Sequence, residues 1–178
     1  MTPATGNPEE AGAAPLVETV LGDVSEACWS GREHDLVDVG WGDAAKHRRM
    51  LRTISGREVA LRLPRGSFLS DGDVLLDDGI TIVVVRRPAE PAIVVDTASY
   101  SESEAIRAAL LLGYALGNQH APLELTPDDV RAPLLTGPDT ARRTLAELGL
   151  RGSVHETPLA AHGWTTTSGE HRDAHRHD

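Results

Sequence analysis

The chain has 178 residues, a net charge of -10 and 3% aromatic residues. Its cores must therefore come from Val, Leu, Ile and Ala, and two small cores suit that composition better than one thick one. The acidic balance argues against DNA or RNA, which reward cationic surfaces through counterion release, and against docking on anionic membrane.

Residues 1–14 combine Pro, Gly, Ala and Glu with almost no large apolar side chain, and disorder is expected there. They contain no basic residue and no apolar h-region, so a secretory signal is not expected. No apolar run approaches the roughly 18 residues of a membrane span, and the cytoplasm is the expected compartment. Residues 15–87 have β texture. Short branched segments (LVETVLG, HDLVDVG, RRMLRTI, EVALRLP, TIVVV) alternate with turn residues such as Gly22–Asp23, Ser55–Gly56 and Asp77–Asp78–Gly79. Arg48–Ile54 and Glu58–Leu63, joined at Gly56, predict a hairpin, and six strands at this spacing predict a small sandwich or barrel. Arg86–Pro91, with two prolines, reads as a linker.

From residue 88 to 160 the period changes. Ala92–Asp96 predicts a strand. Ser101 and Glu104 offer a capping box for a helix over 105–116, with Ile106, Ala109, Leu110, Gly113 and Tyr114 on one broad face. Gly117 and Asn118 are candidate left-handed residues at its end. Strands follow at Leu123–Thr126 and Val130–Leu135. A helix over 139–148 ends at Gly149, and Gly152–Thr157 is a last strand. The order β-α-β-β-α-β is the ferredoxin-like arrangement. The fold class is thus α+β, a small all-β domain followed by a ferredoxin-like domain. Residues 161–178 read as a flexible His-bearing tail.

Histidine is the unusual component. Five of the 8 (His155, His162, His171, His175, His177) lie in the last 24 residues. His171, His175 and His177 form H-x3-H-x-H, and imidazole is a common neutral ligand for Ni, Zn and Cu(II). The bland alternative is a solvated polar tail. Ordering a flexible segment around an ion costs conformational entropy, so tail sites should bind weakly and exchange fast. His120 follows a helix C-terminus, where the dipole favours a cation. A C-terminal capping histidine is the simpler reading of that position. One histidine holds a metal loosely, whereas two copies across a dimer two-fold could share one ion. His34 and His47 read as surface residues. Cys28, the only cysteine, excludes an intrachain disulfide and reads as a small half-buried side chain. The sequence has no G-x-S-x-G, Walker loop, G-x-G-x-x-G or H-E-x-x-H, so no enzymatic motif is present. A zinc hydrolase would need three pre-organised ligands and a general base.

Four features together resemble a known family. These are Gly56–Gly66 followed by Leu69–Leu75, Tyr114-Ala115-Leu116-Gly117-Asn118-Gln119-His120-Ala121-Pro122-Leu123, the helix end Leu145–Leu150, and the tail histidines. The chain is similar to UreE-type urease accessory proteins, the nickel metallochaperones of urease maturation, over residues 16–162. The resemblance implies an N-terminal β domain linked to partner contacts and a ferredoxin-like domain that forms a homodimer. It also implies Ni²⁺ bound by two copies of His120 on the dimer axis; by ligand chemistry alone, imidazoles would also bind Zn²⁺ or Cu²⁺. His171, His175 and His177, with His155 or His162, would add ligands. The implied partners are the maturation GTPase and the urease apoprotein complex, and no catalytic role is implied. This chain differs from the family at three points. Gln119 stands where Arg is usual, Arg131–Thr136 lacks an accessory His pair, and the tail is short of the His content of a nickel store. A non-catalytic scaffold of the maturation complex, with incidental metal binding, is the rival expectation.

Overall fold

The structure, a computed structural model, describes residues 13–165. The expectations for residues 1–12, and for His171, His175 and His177, lie outside the described residues.

The first half contains β1 (Leu16–Val17), β2 (Gly22–Asp23), β3 (Glu33–Asp38), β4 (Arg48–Arg52), β5 (Glu58–Arg62), β6 (Asp73–Asp77) and β7 (Thr81–Arg86). They build two sheets, ordered β1-β5-β4 and β2-β6-β7-β3. The expected hairpin is β4–β5, antiparallel with Leu51 opposite Val59, and Gly56 at φ 92 turns it. Alternation sends Leu51, Val59 and Leu61 inward and Arg52, Glu58 and Arg62 outward. The inward set meets Val37, Leu75, Val83 and Val85 of the other sheet in one core, so the half is a sandwich.

β7 is covered on both faces. Val83 and Val85 point into the sandwich, while Ile82 and Val84 pack with Val74 under Val24, Trp29 and Leu36. Burial on two sides explains why its sequence is a continuous apolar run without alternation. The covering segment includes the 3₁₀ turn Ala27–Trp29. Trp29 takes the inward place in that turn and Cys28 is exposed, which corrects the expected half-burial.

The second half contains β8 (Ala89–Asp96), α1 (Glu102–Gly117), β9 (Glu124–Leu125), β10 (Asp129–Pro133), α2 (Pro138–Glu147) and β11 (Gly152–Pro158). The sheet order is β11-β8-β10-β9 with every neighbour antiparallel. Leu112 and Leu116 of α1, and Ala141 and Leu145 of α2, share a core with Ile93, Val95, Val130 and Ala132, and Ala108 of α1 is buried as well. Chain order and class are α+β, as expected.

Most of the expected linker is strand. β8 starts at Ala89 and pairs with β11 through Pro91. A proline survives there because the β8–β10 ladder ends at the pair Ala92–Pro133, one residue short of Pro91. The Pro91 carbonyl accepts the Leu134 N–H at 3.0 Å. The segment after β11, which leads into the expected tail, is packed. Leu159 and Ala160, at the end of the expected domain, are fully buried, and within the first tail residues the Ala161 carbonyl accepts the Asp71 N–H and Leu123 forms an antiparallel bridge with Thr165. Among the described residues, no helix is long and apolar enough to cross a membrane.

Candidate metal centre

α1 is the element that places His120. It starts where Ser101 donates through both its backbone N–H and its hydroxyl to Glu104 Oε2, at 3.0 and 2.7 Å. The carboxylate lies in the first turn, on the positive end of the helix dipole, and its pKa is lowered chiefly by the Ser101 hydroxyl. Ala108, Leu112 and Leu116 then recur at four-residue intervals and bury one face.

The stripe marked in the sequence is a different one. Ile106, Leu110 and Tyr114 stand in water with 58%, 69% and 74% of their surface exposed. α1 is apolar on two faces, and the sheet takes only one. Nothing lies within 4 Å of where a Cβ would sit on Gly113 or Gly117, so the backbone beside the exposed stripe is open to close approach. That second apolar face, legible in the sequence, is left exposed by the described residues.

The C-terminus corrects the sequence expectation about its left-handed residue. Asn118 is right-handed helical at φ -64, and Gly117 is still in the helix. The left-handed residue is His120, at φ 53. Its N–H donates to Gly117 O at 3.0 Å, and the Ala121 N–H reaches back to Leu116 O at 3.1 Å. This pair of bonds is a Schellman motif, with histidine at the position that glycine usually fills. α2 gives an internal comparison. Gly149 (φ 65) donates to Ala146 O and Leu150 to Leu145 O, the same motif with the expected glycine. A side chain at φ > 0 costs roughly 1 kcal/mol or more, and such local strain tends to collect at functional positions. His120 is exposed at the negative end of α1, whose last turn holds no basic residue. A bound cation there would meet a favourable dipole.

The other candidates lie elsewhere. His155 is exposed on β11, with Nδ1 2.9 Å from Ser153 Oγ. Its charge helps lower the pKa of Asp129. His162 is exposed in the turn after β11 and acts in the same way on Asp23. Among the described residues, no three His, Cys, Asp or Glu side chains come together as a metal cluster. His120, His155 and His162 are therefore not one pre-formed site. The chain does return towards His120, however. Thr165 donates its N–H to Leu123 O at 2.7 Å, and its hydroxyl accepts the Leu125 N–H at 3.0 Å. The last described residue is thus bonded to the strand edge three residues past His120.

A family model described as "UreE urease accessory protein, N-terminal domain" matches residues 17–87. A urease accessory protein UreE of a Nostoc species is 36% identical over 118 residues, covering 66% of this chain and 74% of that protein. The chain belongs to the UreE family. A UreE from Nostoc punctiforme is 34% identical over 133 residues, covering 75% of this chain and 83% of the relative. One from Acetivibrio thermocellus is 33% identical over 120 residues, covering 66% and 73%. These family members are named as accessory proteins, not as enzymes. The family match and the α1–His120 geometry fall on different halves of the chain.

Proposed function

We propose that this protein is a nickel metallochaperone that works in the cytoplasm during urease maturation. The second half is read as ferredoxin-like, with its two helices on one face of a four-stranded sheet. Two copies pair through the exposed stripe Ile106–Leu110–Tyr114, and the two His120 imidazoles take one Ni²⁺ between them. The tail histidines His171, His175 and His177 close the shell, with His155 or His162 as outer ligands. The carried metal is cargo, so it must bind firmly and still leave, and a set of neutral imidazoles without thiolate suits that balance. The ion then passes to the GTPase and apoprotein of the urease maturation complex.

One observation carries this reading. A histidine occupies a glycine position at the end of a helix whose outer apolar face is uncovered. The tether supports it. Thr165 sits beside Leu123, and six residues extend at most ~20 Å, so His171 is within reach of His120. Such a short tether gives a high effective concentration at the shared site.

Nickel calorimetry on His120→Ala and on a chain stopped after Thr165 tests the proposal. His120→Ala should lose the tight site, and the truncation should weaken it. Full affinity in His120→Ala, with none in the truncated chain, would place the metal in the tail alone. The lack of a three-ligand cluster among the described residues favours a second reading, a scaffold whose metal binding is incidental. Full urease activation by His120→Ala dimers at limiting nickel would select it.

A further inference from the structure

Only Arg87 and Pro88 separate β7 from β8. Halves joined so briefly still pivot unless the seam between them is held, since inter-domain contacts permit motion by default. Here the joining residue is itself the holder. The Arg87 side chain is buried, with 3% of the residue exposed. Its Nη1 donates to Val39 O at 2.5 Å, its Nη2 to Leu69 O, and its Nε to Ala160 O at 3.3 Å. The first two carbonyls belong to the sandwich, and the third follows β11 of the second half. The guanidinium fork, with donors in fixed directions, is suited to bridging acceptors from two bodies. The Phe68 ring lies 5.2 Å from the guanidinium carbon.

Charge balance crosses the seam as well. The carboxylates that act on Arg87 are Asp71 and Asp73 from the sandwich, and Glu90 and Glu124 from the second half. Asp71 accepts the Arg87 N–H at 2.6 Å and donates its own N–H to Ala161 O at 2.7 Å. Glu90 accepts the Trp41 N–H at 2.7 Å, and Glu124 accepts the Ala160 N–H at 3.0 Å. The Trp41 and Trp164 rings meet edge-on at 5.7 Å. Residues 159–165 therefore run as a strap from the sandwich to the edge of β9. The strap turns at Ala160, a left-handed non-glycine residue (φ 52) held by bonds at both its N–H and its carbonyl.

We propose that Arg87 and the strap 159–165 form a clasp that locks the two halves into one rigid body. The clasp sets the sandwich, and whatever it engages, at a fixed orientation to the His120 end of the second half. It also roots the chain beyond Thr165 at the β9 edge.

The test uses the full chain without metal, so it stands or falls independently of the nickel reading. Backbone residual dipolar couplings of the wild type should fit one alignment tensor for both halves, and Arg87→Met should require two. A wild type that needs two tensors, or an Arg87→Met chain that keeps one, overturns the clasp. Because Arg87→Met leaves buried carbonyls unpaired and can unfold the protein, Glu90→Gln and Trp164→Ala provide a milder probe. In these variants amide exchange at Trp41, Asp71 and Thr165 should rise about tenfold or more, with Val83 and Ile93 unchanged. Unchanged exchange along the strap, or a uniform rise across both cores, would refute it.

Discussion

Leu110→Asp isolates the outer face of α1 from its inner one. Full burial of a large apolar side chain is worth about 1.5–3 kcal/mol. Ile106, Leu110 and Tyr114 still expose 58%, 69% and 74% of their surface, so covering each would contribute about 1–2 kcal/mol. That is roughly 3–6 kcal/mol per protomer and about 6–12 kcal/mol for a symmetric pair. Association costs about 4–15 kcal/mol in lost freedom, so the balance depends on a few side chains. Leu110→Asp removes about 1–2 kcal/mol on each protomer and places two carboxylates in the interface, where desolvation costs several kcal/mol more. A loss of at least about 4 kcal/mol, near a thousandfold in Kd, should follow. Sedimentation velocity across a concentration series measures it directly. Circular dichroism should stay unchanged, because the buried residues of α1 are Ala108, Leu112 and Leu116, and Leu110 is exposed. A wild type that stays monomeric, or a Leu110→Asp variant that dimerises like the wild type, would refute the reasoning.

Two further outcomes follow from local geometry. His120→Gly should leave the thermal midpoint unchanged or raise it by up to ~1 kcal/mol of stability, because glycine relieves the left-handed strain while adding unfolded-state entropy. The same variant should lose tight nickel binding in calorimetry, and a loss of stability well beyond 1 kcal/mol would contradict the strain argument. Asp129 provides a pH signature. Burial raises its pKa, but Arg131 at 2.8 and 2.9 Å and the Thr126 hydroxyl at 2.8 Å outweigh this, and the net shift is downward. A lowered folded-state pKa stabilises the protein above the unfolded value of ~3.9, and that contribution vanishes as pH falls through the folded value. The stability gap between wild type and Asp129→Asn, about 1–3 kcal/mol near neutrality, should therefore shrink below pH ~4 in urea titrations. A gap that stays constant or widens in acid would refute this.

Elements governed by local pattern were legible in the sequence. The β4–β5 hairpin, the Ser101–Glu104 start of α1 and the Gly149 end of α2 each follow from short-range chemistry, and each stands within a few residues of its expected place. Features that depend on what lies across the fold were not legible. Pro88 and Pro91 read as a linker because a proline's cost in a strand depends on its neighbour, and β10 happens to end there. The strap after β11 has no apolar period. Backbone bonds to Leu123 and Asp71, together with the burial of Leu159 and Ala160, hold it instead. The α1 stripe was visible, but its direction was not, because a helix apolar on two faces does not state which one the sheet takes.

The two helix ends carry the argument furthest. α1 and α2 close with the same pair of backbone bonds, so the backbone demand at residues 120 and 149 is the same. At 149 the chain meets it with glycine, the residue that physical chemistry favours. At 120 it meets it with an exposed imidazole, although neither partner bond needs a side chain. Folding alone does not account for that choice. On the proposed reading the histidine is a metal ligand held on a left-handed backbone, at the negative end of a helix with an exposed apolar face. On that reading the strain has a use, since it fixes the backbone of the ligand at the helix end that a second copy would approach.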